Sequence, residues 1–312
     1  MALKVAILMD HISTVDVNGD STFLLALEGQ RRKHELYHFE PKNLYAKNSS
    51  AFATVQKLVV KKTSGNHFTL GPKKSAQLSK FDVILMRQDP PFDMSYITAT
   101  HILELVTNST MVVNNPAEVR NAPEKLFMLQ YPDLIPPTLI SNDIKLIKEF
   151  RNQYKDIIIK PLYGNGGRGV FHITEYDENV NALVEMFMSF SAEPLMIQKY
   201  LPEVRNGDKR IILIDGEPAG ATNRVPASGE ARSNMHVGGR AEKSKITERD
   251  FEICATIGPE LRRRGLVFVG IDVIGKYLTE INVTSPTGLQ EINRFNKTNL
   301  ETSIWDAIEF RL

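Results

Sequence analysis

The sequence predicts an α/β protein with an open N-terminal α/β domain followed by two α+β lobes, and three observations carry that expectation. The first third alternates short apolar strands with amphipathic helices in a βαβ rhythm. Proline then recurs at Pro116, Pro123, Pro132, Pro136 and Pro137, a density that marks a connector between lobes. Beyond it lie two hairpin-like stretches, DIIIKPLYGNGGRGVFHI and LVFVGIDVIGKYLTEINVTSPTG, each rich in β-branched residues and each holding charged side chains among apolar ones. At 312 residues the chain is too long for one simple core. The expected divisions are residues 1–122, 123–200 and 201–312.

In chain order, VAILM at Val5–Met9 reads as the first strand and Phe23 to Lys33 as the first helix, with Asp20, Ser21 and Thr22 as suitable N-cap residues. The loop from Asp10 to Asp20 therefore opens at the carboxyl end of a strand, where open α/β sheets bind ligands. No GxGxxG lies in it, which argues against a dinucleotide fold. A second strand, VILM, ends on Arg87, followed by Gln88, Asp89, Pro90 and Pro91. The Arg87 guanidinium matches a substrate carboxylate bidentately, although an arginine at such a place also suits ordinary solvent exposure. Lys47 to Lys80 is lysine-rich and polar, and is expected to form a small solvated hairpin without chemistry. A short helix is expected between Glu124 and Gln130, with Lys125 in its first turn.

The glycine-rich segment is the strongest chemical signal. Ile157 to Ile159 predict a buried strand ending on Lys160, and Gly164, Gly166, Gly167 and Gly169 allow tight turns that present backbone N–H groups to an anion. It is not a Walker A loop, because Val170 to Ile173 resumes a strand where a phosphate-binding helix would start. Taken alone, the segment fits a surface hairpin as well as a flap over a nucleoside triphosphate. Leu195 to Ile197 predict a strand running into Gln198, Lys199, Tyr200 and Leu201, a strand-to-loop crossing that would offer a purine backbone groups at one edge and apolar walls on its faces. A plain edge strand fits the same residues.

Asp208, Lys209 and Arg210 precede a strand at RIILID, so that Arg210 points into the same cleft. Asn223 to Ser244 is expected to be a long loop without regular structure, carrying Arg224, Arg232 and Arg240, and loops of that kind are commonly lids. Asp272 lies on one strand and Glu280 and Asn282 share a face of the next, all hard oxygen donors of the type Mg²⁺ takes. A two-residue turn at Gly275 and Lys276 would turn Asp272 away from Glu280, so a three-residue loop ending at Tyr277 is expected. Ser285, Pro286, Thr287 and Gly288 form a tight turn able to hold a small carboxylate on backbone N–H groups.

Bulk properties narrow the partners. Lys+Arg 38 against Asp+Glu 37 leaves no field for a polyanion, so nucleic acid is not expected as a ligand. No apolar run approaches a membrane span of about 18 residues, and Met1 to Lys4 leads into a strand without a targeting segment. The single cysteine, Cys254, sits among apolar helical neighbours and fits a core thiol in a reducing compartment. The seven histidines show no metal-ligand spacing.

Taken together, Lys125 in NAPEKLF, Lys160 in IIIKPL, YGNGGRG, QKYLP, GDKRI, the arginine loop ending in GGR, and DVIG with TEINVTSPTG resemble the ATP-grasp ligases. With MRQDPPFD added, the chain resembles the bacterial glutathione synthetase family over nearly its whole length. The resemblance implies an ATP-grasp fold and ligation of γ-glutamylcysteine to glycine through an acyl phosphate, with ATP as co-substrate and Mg²⁺, or Mn²⁺ in its place, as cofactor. It puts ATP against Lys125, Lys160, Gly164, Gly166, Gly167, Gly169, Gln198, Lys199, Tyr200, Leu201 and Asp208, and metal on Asp272, Glu280 and Asn282. Arg210 and Arg224 become catalytic. Arg87, Ser13, Ser21, Arg232, Asn234, Ser285, Pro286 and Thr287 fall on the substrate side. The same resemblance implies a homo-oligomer, a tetramer, and the single cysteine fits a reducing cytoplasm. A ligase for another acid and amine, a kinase that stops at phosphorylation, and a nucleotide-binding regulatory module are the competing readings.

Overall fold

The computed structural model describes residues 2–230, 232–233 and 238–312. The N-terminal sheet is built on β1 (Lys4–Leu8), which pairs in parallel with β2 (Glu35–Phe39). Asp20 caps α1 (Ser21–Arg31) by accepting from the Phe23 N–H, so the helix starts two residues before the expected Phe23. β3 (Leu44–Lys47), β4 (Ser50–Val60), β5 (Phe68–Leu70) and β6 (Lys74–Gln77) follow. β7 (Val83–Met86), α2 (Met94–Glu104), β8 (Met111–Val113) and α3 (Pro116–Asn121) complete the unit. The strand order is β3-β4-β2-β1-β7-β8, with β5 and β6 both paired to β4.

The expected solvated hairpin at Lys47 to Lys80 is therefore a correction. β4 is an eleven-residue strand that joins the main sheet through β2, and it buries Ala51, Ala53, Val55, Leu58 and Val60. Its alternation puts Ala51, Ala53 and Val55 on the core and Ser50, Phe52, Thr54 and Gln56 on the other face, while the lysines that dominate the composition, Lys47, Lys61 and Lys62, flank the strand.

The second sheet contains β9 (Thr138–Ser141), β10 (Ile157–Pro161), β11 (Phe171–Ile173) and β12 (Leu195–Lys199), in the antiparallel order β11-β10-β12-β9. α4 (Ile144–Tyr154) and α5 (Val180–Phe190) supply Ile147, Val180, Leu183 and Val184 to a core with Ile157, Ile159 and Ile197. The expected helix at Glu124–Gln130 is a single 3-10 turn, Phe127–Gln130, and Lys125 precedes it.

The third sheet runs β15-β14-β13-β16-β17, all antiparallel, from β13 (Asp208–Ile214), β14 (Glu217–Val225), β15 (Arg240–Lys243), β16 (Phe268–Ile274) and β17 (Tyr277–Asn282). The unstructured loop expected from Asn223 to Ser244 is thus shorter, because both its ends are strand. α6 (Glu248–Arg263) packs behind the sheet, and Gly216 and Gly258 let the β13–β14 turn meet it. A Cβ added at Gly258 would lie 2.3 Å from the Gly216 carbonyl oxygen. α7 (Leu289–Asn296) and α8 (Leu300–Phe310) return to the N-terminal unit, where Trp305 donates Nε1–H to the Leu25 carbonyl at 2.9 Å. Two of the apolar cores take side chains from both the first and the third sheet.

The expected three-residue loop between β16 and β17 is also corrected. Ile274 pairs with Tyr277 around a two-residue turn, and a bulge at Thr279 restores Asp272 opposite Glu280. The facing acids were the right expectation, reached through the wrong device.

Candidate active site

The three sheets turn their ends to one cleft of about 850 Å³, a size suited to a small-molecule site. β10 delivers Lys160 at its carboxyl end and β17 delivers Glu280, and the two meet at 3.5 Å. Lys125 reaches the same Glu280 oxygen at 3.6 Å and donates to the Gly164 carbonyl at 2.6 Å. One carboxylate is thereby shared by two ammonium groups. Burial alone would raise Glu280, but Lys125 and Lys160 outweigh it and hold the carboxyl below its usual range. Burial lowers Lys160, and Glu280 only partly opposes that.

Beside them, Arg210 on β13 grips Asp272 on β16 with Nε at 2.5 Å and Nη2 at 2.9 Å, a bidentate pair across neighbouring strands. Arg224, on β14 and not in a loop, bridges Asp272 at 2.9 Å and Asp208 at 2.5 Å. Against burial, the two guanidiniums drive Asp272 far below the normal carboxylate range. Asp208 differs: burial raises it despite Arg224, and although Oδ2 accepts from Ser233, Oδ1 is buried with no partner among the described residues.

Glu124, beside Lys125, was missed from the sequence. Burial is the main cause that raises its carboxyl, with the Glu280 charge adding to it, and it accepts from Thr284 at 2.9 Å. With its amide nitrogen turned toward that carboxylate, Asn282 donates to both oxygens at 3.1 and 3.0 Å, leaving the Asn282 oxygen for the cleft. The adjacency of Glu124 to Lys125 was the available signal.

Gln198, Lys199, Tyr200 and Leu201 line the cleft with Ile158, Val204 and Ile274. Lys199 and Tyr200 donate their backbone N–H groups to the Pro137 and Asp156 carbonyls, so a donor for a purine edge has to come from elsewhere in the segment. Gly164, Gly166 and Gly167 also line the cleft. Gly169 does not: a Cβ there would strike Pro161 at 2.9 Å, and its φ of +69° serves the turn itself.

The cleft is also lined by Ser21, Thr22, Asp20, Arg87, Asp89, Ser285 and Glu291. Arg87 is buried, donating Nε–H to Thr22 Oγ1 at 3.0 Å and Nη2–H to the Pro286 carbonyl at 2.8 Å. The Thr287 carbonyl accepts from Arg210 at 3.3 Å. The Ser285–Thr287 turn thus orients two guanidiniums with its carbonyls, whereas anion-binding N–H groups were expected. Arg232 lines the cleft and pairs with Glu230. Ser13 is a correction, being exposed and bonded to His11 away from the cleft lining. Asn234 lies outside the described residues. Glu291, whose Oε2 is buried with no partner among the described residues, was not anticipated.

Two family models match the chain: the N-terminal domain of prokaryotic glutathione synthetase over residues 3–120 and its ATP-grasp domain over residues 124–297. The chain belongs to the prokaryotic glutathione synthetases. Glutathione synthetases of Brucella melitensis and Mesorhizobium japonicum are similar at 58% identity over all of both chains and 56% over 99% of each. Among solved structures, the D-cycloserine synthetase DcsG superposes with a TM-score of 0.69 at 12% identity, covering 98% of this chain and 99% of that one. A RimK domain ATP-grasp protein from Sphaerobacter thermophilus gives 0.65 at 15% identity, over 97% and 98%. Those two speak for the fold alone, which is ATP-grasp.

The family's members are ATP-dependent ligases that need a divalent cation. Among the described residues, no three acidic, histidine or cysteine side chains converge as a ready-made cage. The donors present nevertheless suit such an ion: Asp272, Glu280 and Asn282 are hard oxygen ligands on one wall, and nucleotide-borne Mg²⁺ is held by one or two carboxylates plus phosphate oxygens. The cysteine takes no part. Cys254 is fully buried in α6, and burial pushes its thiol up to about 12.

Proposed function

We propose that this glutathione synthetase family member joins γ-glutamylcysteine to glycine at the expense of ATP, with the cysteinyl carboxylate first converted to an acyl phosphate. A carboxylate is a poor electrophile. Transfer of the γ-phosphoryl group releases ADP and makes its carbon open to attack by the glycine nitrogen, after which phosphate leaves. The observation that carries the reading is the single cleft in which Lys125 and Lys160 converge on Glu280 while Arg210 and Arg224 converge on Asp272.

In this reading Lys125 and Lys160 draw the triphosphate in, the glycines of the flap cover it, and Gln198 to Leu201 flank the purine with Asp208 toward the ribose. Asp272, Glu280 and Asn282 would hold Mg²⁺, or Mn²⁺ in its place, which when bound neutralises phosphate charge during transfer. Arg210 and Arg224 lie where a tetrahedral oxyanion would need donors, and Arg232 would approach from the flap side. The polarity of the cleft supports one direction for the dipeptide. Its reacting carboxylate belongs at the cationic end, and its γ-glutamyl ammonium and carboxylate belong at the end holding Glu291, Asp20 and Arg87, with Ser21 and the Ser285–Thr287 turn beside them.

The division into residues 1–122, 123–200 and 201–312 accompanies this reading, with one sheet in each part. So do a cytoplasmic location, which a single buried thiol suits, and a tetramer, which sedimentation would check. No described helix is long and apolar enough to cross a membrane.

The test is ADP release with γ-glutamylcysteine, with and without glycine. Release that needs both and yields the tripeptide is expected. Release without glycine at the full rate would favour a kinase, and amine-dependent release with other acids only would move the chain to another ligase class.

A further inference from the structure

The segment that carries β4 and β5 has a second feature beyond its place in the sheet. The turn after β4 brings His67 down onto the loop at residues 10–20, where its Nε2–H donates to the Ile12 carbonyl at 2.8 Å. His38, on β2, donates Nε2–H to the Asp10 carbonyl of the same loop at 3.2 Å. His67 is buried, with its ring edge-on to Phe23 at 5.7 Å and to Phe68 at 5.0 Å. Phe68 and His38 in turn meet His11 edge-on, at 6.0 and 5.7 Å. Because the partner is a carbonyl, Nε2 of His67 carries a hydrogen, and its buried Nδ1 has no partner among the described residues. A buried imidazole with one committed hydrogen bond is an expensive way to fill space that Leu or Phe would fill without loss. The Ile12 carbonyl it satisfies lies in a short 3-10 turn, Ile12–Thr14, and Thr14, Val15 and Asp16 of the same loop line the cleft.

We propose that His67, with His38 as its second anchor, is a positioning residue for the dipeptide: together they strap the backbone of the loop at residues 10–20 into the shape that receives the γ-glutamyl end. The proposal rests on the assignment of that end of the cleft to the dipeptide. The hairpin beyond β4 is then part of the substrate site, acting through backbone carbonyls and touching no substrate itself.

The test compares His67→Phe, which keeps a ring against Phe23 and Phe68 but removes the donor, with His67→Gln, whose amide nitrogen restores one. His67→Leu replaces the phenylalanine variant if that ring does not fit. Thermal melting of each variant establishes folding. The donor-free variant is expected to raise KM for γ-glutamylcysteine about fivefold to tenfold, the scale of one hydrogen bond, with KM for ATP and kcat within about twofold of the parent. The glutamine variant should recover most of that loss. An unchanged dipeptide KM, an equal rise in all three substrates' KM values, or a glutamine variant as impaired as the phenylalanine one would each overturn the strap. Arg87→Gln, run alongside, separates the two levels. If its effect falls on glycine or ATP, the dipeptide assignment itself is wrong, whereas a dipeptide-specific effect there and none at His67 overturns the strap alone.

Discussion

Arg210 shows how much of the chemistry rests on one side chain's shape. Its Nε and Nη2 occupy both oxygens of Asp272, and its Nη1 reaches the Thr287 carbonyl, so the guanidinium plane is fixed between β16 and the turn after β17. Lysine can keep the charge but not the fork. Arg210→Lys is therefore expected to lower kcat by about 10²–10³ while KM for ATP changes little, as for loss of one preorganised donor in a transition state. Steady-state ADP release across ATP concentrations measures both, and a change confined to KM would assign Arg210 to ground-state binding. Glu280 stands differently, because its removal leaves Lys125 and Lys160 with no shared counter-charge. Glu280→Ala is expected to abolish turnover while circular dichroism and melting show a folded chain, and retained turnover would remove Glu280 from the metal wall. These residues were legible because charge in an apolar strand needs a reason. Glu124 was not, since its partner acid lies 156 positions away in the sequence and only the pairing of β17 with the segment before β9 brings them together.

At the scale of elements, alternation and capping were readable and register was not. β10 followed from the unbroken β-branched run Ile157–Ile159, and β12 from the apolar run Leu195–Ile197. The Asp272–Glu280 pairing depends on a bulge, which no local pattern announces, and the core face of β4 was obscured by the lysine-rich chain on either side of it. Helix α1 offers a test at this scale. Glu28 accepts from Arg31 at 2.6 and 2.7 Å and from Arg32 at 2.8 Å, and Arg32 continues to Asp306 and Glu309 on α8. The Arg31 hydrogen bonds chiefly, with those of Arg32, lower Glu28 from 4.5 to about 2. A depressed carboxyl stabilises the folded state above its unfolded value and loses that contribution as the pH falls through the folded one. Because Arg31 lies in solvent, screening cuts the contribution to about 1 kcal/mol. Glu28→Gln should thus unfold at lower urea than the parent at pH 7, and the gap should close as pH falls from about 4.5 toward 2. A gap independent of pH would mean that packing, and not charge, joins α1 to α8.

For the whole molecule, the cleft is walled by three sheets that share few covalent links, so its contents act as a bridge. Lys160 belongs to the second sheet, Glu280 and Asp272 to the third, and Arg87 to the first, whose core already merges with the third through α7 and α8. The second sheet is the exception, with a core of its own beneath α4 and α5 and, among the described residues, only Met196 of its strands buried in a core shared with the other two sheets. A ligand held by both Lys160 and the Asp272–Glu280 wall therefore ties the least integrated part of the chain to the rest. Saturation at about 100 times Kd stabilises a folded state by about 2.7 kcal/mol, which for a chain of this length corresponds to a rise in Tm of several degrees. A non-hydrolysable ATP analogue with Mg²⁺ is expected to produce that rise. The same analogue with chelator should give a smaller one, since the acidic wall then repels the phosphates. Lys160→Met should lose most of the increment while keeping the unliganded Tm near the parent's, because burial already works against that ammonium in the free protein. Scanning calorimetry on the four combinations of variant and metal separates the contributions. If chelator and Lys160→Met left the full rise in place, the nucleotide would be held by the purine wall alone, and the two sheets would not be closing on its phosphates.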